Sequence, residues 1–291
     1  MPLTERFAIV EKGSGGAIRR EATNLGGKAP SSVWASGDLY EPYVGRWSRL
    51  VARDFLDWLD APSGLDWLEV GCGTGALTEM IADSRLPARL VAIDSSAGYL
   101  GYARQRLGPD RAEFREADAQ KLPFSAAEFD CVVSGLVLNF VTDQARAAAE
   151  MARVARPGGE VALYVWDYAG KMELMRYFWD AAAALDPRAV EMDEGKRFPI
   201  CQPEALRGLF EAAGLADVQT RAIDVPTIFR DFDDYWSPFL GGQGPAPGYC
   251  VSLNEDARTG LRERLRRSLP TRPDGSIHLI ARAWAVRGRK R

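Results

Sequence analysis

The chain has 291 residues, 46% hydrophobic and 26% charged, proportions of a soluble globular protein with room for one large α/β domain or two small ones. Its 37 Lys and Arg against 40 Asp and Glu leave a formal net charge of −3, which argues against a surface built to hold nucleic-acid phosphates. No leader of charged, apolar and small residues is present and no apolar run reaches the roughly 18 residues of a membrane span, so neither export nor membrane insertion is expected.

Residues 1–32 are rich in Gly, Ser, Ala and charge and read as a weakly ordered arm. From 33 to 60, Tyr40, Tyr43, Trp47, Leu50, Val51, Phe55, Trp58 and Leu59 recur at steps of three and four, the mark of an amphipathic helical cap. Short apolar strands are predicted at 65–70, 89–93, 112–116, 129–134 and 160–166, with helices at 76–83, 98–107 and 143–156 between them. That alternation predicts parallel βαβ units with helices on both faces of a sheet. Beyond 166 come a helix at 172–185, a helix at 204–213 closed by Gly214 and a strand at 217–227. An aromatic helix at 232–240, a Gly/Pro loop at 241–248, a charged helix at 254–268 and a last strand at 276–286 follow. The arginines Arg262, Arg264, Arg266 and Arg267 read as a solvated helix face, and 287–291 as a basic tail. Cys72, Cys131, Cys201 and Cys250 lack C-x-x-C spacing and the single histidine, His278, has no cysteine near it. No metal site is therefore expected, and the free thiols fit a reducing cytoplasm.

The central motif is Leu68-Glu-Val-Gly-Cys-Gly-Thr-Gly75, between a strand and a helix. Gly71, Gly73 and Gly75 let the backbone turn tightly and approach a ligand where a Cβ would collide. The second strand ends at Asp94, a carboxylate placed to accept two ribose hydroxyls. Two cofactors are then open, a nicotinamide dinucleotide and S-adenosylmethionine. The spacing here is G-x-G-x-G instead of G-x-G-x-x-G, and Glu69 stands inside the strand end. A carboxylate is repelled by a pyrophosphate and attracted to the ammonium of a methionine moiety, which favours S-adenosylmethionine.

These residues, followed by Ala117-Asp-Ala-Gln-Lys-Leu-Pro-Phe124, Phe129-Asp-Cys-Val-Val-Ser134 and Val154-Ala-Arg-Pro-Gly-Gly159, resemble the successive motifs of class I S-adenosylmethionine-dependent methyltransferases. The likeness is to the ubiquinone/menaquinone-biosynthesis-like small-molecule group and covers 40–166. It implies a Rossmann-like, seven-stranded, mostly parallel sheet with helices on both faces and an antiparallel last strand. It implies one methyltransferase domain over 33–286: the cap 33–60, a cofactor-binding half 65–166, acceptor-side insertions and a lid at 167–275, and the last strand. Gly71 and Gly73 would line the methionine moiety with Glu69 and Cys72, Asp94 and Ser95 would meet the ribose, and Asp118 and Ala119 the adenine. Ser134 and Leu136 would lie near the methionine end, while Tyr40 and Arg46 close over the cofactor, Arg46 as a partner for its carboxylate.

The chain departs from the family pattern after the fourth strand, where Asn139 and Phe140 replace a His pair. Asn cannot take a proton, so no catalytic base is assigned. Asp167, Tyr168, Asp224 and His278 are candidates, each with a structural reading as turn, core or edge residue. A protein that binds S-adenosylmethionine without transferring its methyl group is the alternative. No Asn/Asp-Pro-Pro-aromatic signature of nucleic-acid base methylation is present, so the expected partner is a small apolar or aromatic methyl acceptor. Its pocket is expected above the carboxyl ends of the strands, near Asn139, Trp166, Tyr235, Trp236 and Phe239, with the Gly/Pro loop as a mobile lid.

Overall fold

The computed structural model describes residues 45–242 and 244–291; the arm at 1–32, the start of the cap and Tyr40 lie outside them. A first helix, α1 (Arg46–Leu59), is followed by β1 (Asp66–Val70), α2 (Ala76–Ser84), β2 (Arg89–Asp94), α3 (Ala97–Leu107) and β3 (Glu113–Glu116). Then come β4 (Phe129–Gly135), a 3-10 turn (Leu138–Phe140), α4 (Gln144–Val154) and β5 (Ala155–Trp166). The second half holds α5 (Glu173–Leu185), the short α6 (Glu194–Arg197), α7 (Pro203–Ala212), β6 (Leu215–Phe229), α8 (Phe232–Trp236), α9 (Pro245–Ser252), α10 (Glu255–Ser268) and β7 (Ile277–Lys290).

The strands make one sheet in the order β3-β2-β1-β4-β5-β7-β6. The first five are parallel, and β7 runs antiparallel to both neighbours. Because β1, β2 and β4 are covered on both faces, their side chains are almost continuously apolar and buried. On one face, Glu79 of α2 receives Arg49 of α1 at 3.2 Å and Arg106 of α3 at 2.7 Å. Helices α4 and α7 pack together on the sheet elsewhere. The strand order reverses between β1 and β4, the switch point at which α/β sheets open a crevice for ligands.

Three segments differ most from the sequence reading. Strand β5 begins at Ala155, not 160, because Pro157 keeps Arg156 out of the helical region; the register then jumps from Phe129↔Ala155 to Cys131↔Glu160. The basic tail is strand as far as Lys290: Arg287 donates to the Trp58 carbonyl and Gln219 Oε1, both at 3.0 Å, and lies 4.8 Å over the Trp58 ring. The loop expected at 241–248 gives way to helix α9, whose Pro245 occupies the first turn, where an N–H has no partner to lose.

Strands β6 and β7 outrun the rest of the sheet. Trp166 at the end of β5 opposes Ala283, yet β6 and β7 stay paired to Phe229↔Ile277, about 20 Å further at roughly 3.4 Å per residue. The ribbon therefore projects past the carboxyl ends of β1, β4 and β5. Helix α5 joins it there, with Glu173 Oε2 accepting from Ile280 N at 2.7 Å.

The turn after β1 is held by its glycines. Gly71, Gly73 and Gly75 have φ of 76°, 52° and 83°, and a Cβ on Gly71 would lie 2.6 Å from Val137 in the loop after β4, whereas one on Gly73 would meet nothing within 4 Å. Gly71→Ala is expected to cost about 1–3 kcal/mol through overpacking added to left-handed strain. Gly73→Ala carries only the strain, about 1 kcal/mol. Chemical denaturation of the two variants side by side measures the difference.

Candidate functional site

The carboxyl ends of β1 and β2 bring two acids to the glycine turn. Gly71 N and Cys72 N both donate to Ile93 O at 2.8 Å, tying the turn to the end of β2. One residue on, Asp94 accepts from Gly73 N at 2.9 Å and from Ser96 N at 2.8 Å. Asp94 is buried, and desolvation pushes its carboxyl above the usual carboxylate range against the pull of the Ser96, Gly73 and Ser95 amides. Glu69 is 1% exposed and accepts from Thr78 Oγ1 of α2 at 2.5 Å. Burial pushes its carboxyl up to about 8; the Thr78 hydrogen bond opposes this and the charge of Asp94 adds to it. Two buried acids thus face a turn that leaves open space at Gly73, where a Cβ would meet no neighbour. Cys72 is buried beside them, its thiol raised first by burial and then by the charges of Glu69 and Asp94. Ser95 is exposed next to Asp94.

The loop after β3 carries Asp118 and Ala119. Asp118 is exposed and accepts from Gln120 N at 2.8 Å, a local turn that fixes the loop's outline. Gln120 Oε1 accepts in turn from Thr142 Oγ1 and Asp143 N, both at 3.0 Å, linking this loop to the start of α4.

After β4, Ser134 is buried and Leu136 takes φ 62°, a left-handed conformation that a branched side chain adopts only under constraint. The constraint is visible: Leu136 N donates to Tyr164 O at 2.8 Å, and the next residue, Val137, fills the space beside Gly71. Asn139 follows in the 3-10 turn. It is 4% exposed, and both its amide oxygen and its amide nitrogen are buried without a hydrogen-bond partner. Such an orphaned amide carries a desolvation penalty that a bound polar group would relieve.

Arg46, at the start of α1, is not a simple surface charge. Its Nη1 donates to Asp234 Oδ1 of α8 at 3.1 Å, and the guanidinium lies 4.4 Å from the Trp47 ring centre and 4.8 Å from that of Phe229. Its Nε and Nη2 are buried without a hydrogen-bond partner. Those two N–H groups form the edge that grips a carboxylate in bidentate fashion.

Trp166, Tyr235, Trp236 and Phe239 stand near the projecting β6–β7 ribbon but serve as core. All are at most 5% exposed. Phe239 stacks on Phe178 at 4.4 Å, Tyr235 packs on Phe229 at 5.3 Å and on Phe239 at 5.5 Å, and the Tyr235 hydroxyl donates to Leu174 O at 2.9 Å. The segment expected as a lid holds this packed cluster and helix α9. Three of the proton-acceptor candidates likewise have structural partners: Asp167 accepts from Gly170 N and Lys171 N at 3.0 Å, Asp224 pairs with Arg282 at 2.6 Å, and the Tyr168 ring packs on Phe198 at 5.7 Å. His278 sits on β7 opposite Ile228 in the outermost strand.

One acid escaped the sequence reading. Glu194, in α6, is 2% exposed; its Oε2 accepts from Trp179 Nε1, and its Oε1 is buried without a partner. Burial pushes its carboxyl up to about 7. In the sequence it stands in a charged run, Glu191 to Arg197, which reads as solvated loop and gives no sign of the Trp179 it meets after folding.

Comparison with known proteins agrees with this geometry. Residues 68–163 match the family model described as a methyltransferase domain. A demethylmenaquinone methyltransferase of Renibacterium salmoninarum is 40% identical over 116 residues, 40% of this chain and 46% of that protein. A 2-phytyl-1,4-naphtoquinone methyltransferase of Thermosynechococcus vestitus is 36% identical over 110 residues, 37% of this chain and 49% of that protein. The chain thus spans about half the length of these curated relatives. Among solved structures, the YcgJ protein of a Bacillus superposes with a TM-score of 0.55 at 17% identity, covering 83% of this chain and 98% of that one. The segment from the end of β1 through most of β5, with its glycine turn, Asp94 and the loop after β4, is a methyltransferase domain set in a class I, Rossmann-like methyltransferase fold.

Proposed function

We propose that this chain transfers a methyl group from S-adenosylmethionine to a small molecule with an apolar or aromatic body. The observation that carries the reading is the glycine turn, open at Gly73 and flanked by the buried acids Glu69 and Asp94 at the carboxyl ends of β1 and β2. The bound cofactor supplies an electrophilic sulfonium methyl group, so the protein's task is to align the acceptor and exclude water.

Glu69 and Cys72 line the methionine end together with Gly71 and Gly73, whose missing side chains let the ligand approach the backbone. Asp94 takes the ribose hydroxyls on the lone pairs left over from Gly73 N and Ser96 N, with Ser95 beside it. Asp118 and Ala119 border the adenine, Ser134 and Leu136 the methionine end opposite Glu69. Arg46 offers its free Nε–Nη2 edge to a carboxylate, and Tyr40 is assigned to the same cover on its family likeness. The acceptor lies toward Asn139, over a floor stiffened by Trp166, Tyr235, Trp236 and Phe239. Two relatives named for naphthoquinone-type substrates support an aromatic acceptor. The net charge of −3 favours such a molecule over nucleic acid, and the free thiols of Cys72, Cys131, Cys201 and Cys250 favour the cytoplasm.

Asp94→Ala is expected to weaken S-adenosylmethionine binding by at least about tenfold, since each lost hydrogen bond to a charged group is worth about 1.5–3 kcal/mol. Isothermal titration measures this, and unchanged affinity would remove Asp94 from the site. Glu69 gives a second prediction. Its carboxyl moves from 4.5 in the unfolded chain to about 8 in the ligand-free fold, so the stability it contributes is full below pH 4.5 and is lost as pH rises toward 8. Glu69→Gln should therefore raise the thermal midpoint of the ligand-free protein at about pH 8 and change it little at about pH 4. An ammonium seated beside Glu69 draws off its proton, so cofactor binding near neutral pH should release protons. The binding heat then depends on the ionisation enthalpy of the buffer, and the Gln variant loses that dependence.

A further inference from the structure

Two buried polar groups at the carboxyl ends of adjacent strands have atoms that nothing in the fold satisfies. Asn139, after β4, has both its amide oxygen and its amide nitrogen orphaned, and Glu194, in the insertion after β5, has Oε1 orphaned. Their segments pack together. Phe140, next to Asn139, meets Phe198 edge to face at 5.3 Å, and Phe198 also packs on Tyr168 just beyond β5. Phe198 N donates to Glu194 O at 2.9 Å, so Glu194 and Phe198 are one helical turn apart and share a face. Helix α6 is seated tightly here: a Cβ on Gly195 would lie 2.9 Å from Ala169 Cα and 3.0 Å from Tyr168 O. Among the other polar groups nearby, Arg176 Nε also lacks a partner, and its charge lowers the Glu194 carboxyl. Asp193 accepts from Arg176 at 2.6 Å and from Gly195 N at 2.8 Å, and Glu194 Oε2 accepts from Trp179.

We propose that Asn139 and Glu194 together receive an acceptor that bears an acidic hydroxyl on an unsaturated carbon, Asn139 hydrogen-bonding its oxygen and Glu194 Oε1 taking its proton. This rests on the reading of the chain as a methyltransferase. An amide can donate to and accept from one hydroxyl at once, and a carboxylate oxygen with no partner is a proton acceptor. The rings of Phe140, Phe198 and Tyr168 supply an apolar wall beside them. In the step, the acceptor O–H bond breaks and its proton passes to Glu194 Oε1. The electron pair released on the acceptor forms the new bond to the methyl carbon, and the methyl–sulfur pair stays on sulfur as a thioether. Burial near neutrality suits Glu194 to the role, because a carboxyl with an ordinary value is too weak a base for such a hydroxyl. Phe140 is 43% exposed, so its edge of that wall borders solvent.

The test uses the full chain saturated with S-adenosylhomocysteine and two probes of the same shape, 2-naphthol and 2-methylnaphthalene. The wild type should prefer the naphthol by at least about tenfold, the worth of one well-made hydrogen bond in place of an orphaned group. Asn139→Ala and Glu194→Gln should each abolish most of that preference while retaining S-adenosylhomocysteine affinity. In the Gln variant the oxygen must face Trp179, which puts an NH2 where the free oxygen stood. A structural role for either residue would alter stability without changing the ratio of the two affinities. If Glu194→Gln fails to fold, Asn139→Ala decides. Equal or absent affinity of the wild type for the two probes, or a preference that survives in a folded variant, overturns the proposal. Failure of the wild type to bind S-adenosylhomocysteine would instead overturn the methyltransferase reading on which it rests.

Discussion

The hydrogen bond from Gly73 N to Asp94 holds the centre of this molecule. It joins the turn that follows β1 to the end of β2, and it works only because Gly71 and Gly73 adopt left-handed conformations that bring the amide toward the carboxylate. The neighbouring amides of Gly71 and Cys72 share Ile93 O, so the turn has little freedom to move. On its other side Val137 presses against Gly71, and this contact sets where the loop after β4 runs. The strained Leu136 and the orphaned Asn139 follow from that path. One carboxylate thus organises the turn and, through it, the loop in which Asn139 lies.

Burial is what gives the acids their chemistry. Glu69, Asp94 and Glu194 are all raised, with desolvation the largest cause in each. By contrast Asp224, beside Arg282, is held below the usual carboxylate range, and its charge is used up in pairing. An acid kept out of water without a cation beside it stores a cost that a ligand can relieve. Glu69 meets that condition at the end of β1; Glu194 has the Arg176 charge near it, which lowers its carboxyl, yet burial outweighs that pull.

The second half of the chain packs an aromatic core against the sheet. The β6–β7 ribbon projects past the ends of the parallel strands and carries a ring-packed cluster around Phe178, Phe229, Tyr235 and Phe239. Asp234 reaches from this cluster to Arg46 and fixes the start of α1 over the same end of the sheet. A Gly/Pro-rich stretch suggested mobility, but Pro245 suits the first turn of a helix and the aromatics found partners in each other. Their spacing in sequence described a packed core, in which each ring has a defined neighbour.

The sequence by itself determined the cofactor half of the protein. The glycine turn, Asp94, Glu69 and the strand–helix alternation are local features: each depends on the φ a residue can adopt, or on apolar character repeated over a few positions, and a reader of the chain sees both. Their order predicted the parallel βαβ units, while the strand order that places the switch point between β1 and β4 is a property of the folded sheet. Only the tertiary structure decided the rest. Arg46 meets Asp234 across 188 positions, Glu160 and Gln219 turn a basic tail into strand, and Glu194 is buried because Trp179 folds over it. Whether a charge is solvated, paired or stranded depends on what the fold brings beside it, and no pattern along the chain carries that information. The contacts of the second half were therefore closed to sequence reading for the same physical reason that the glycine turn was open to it.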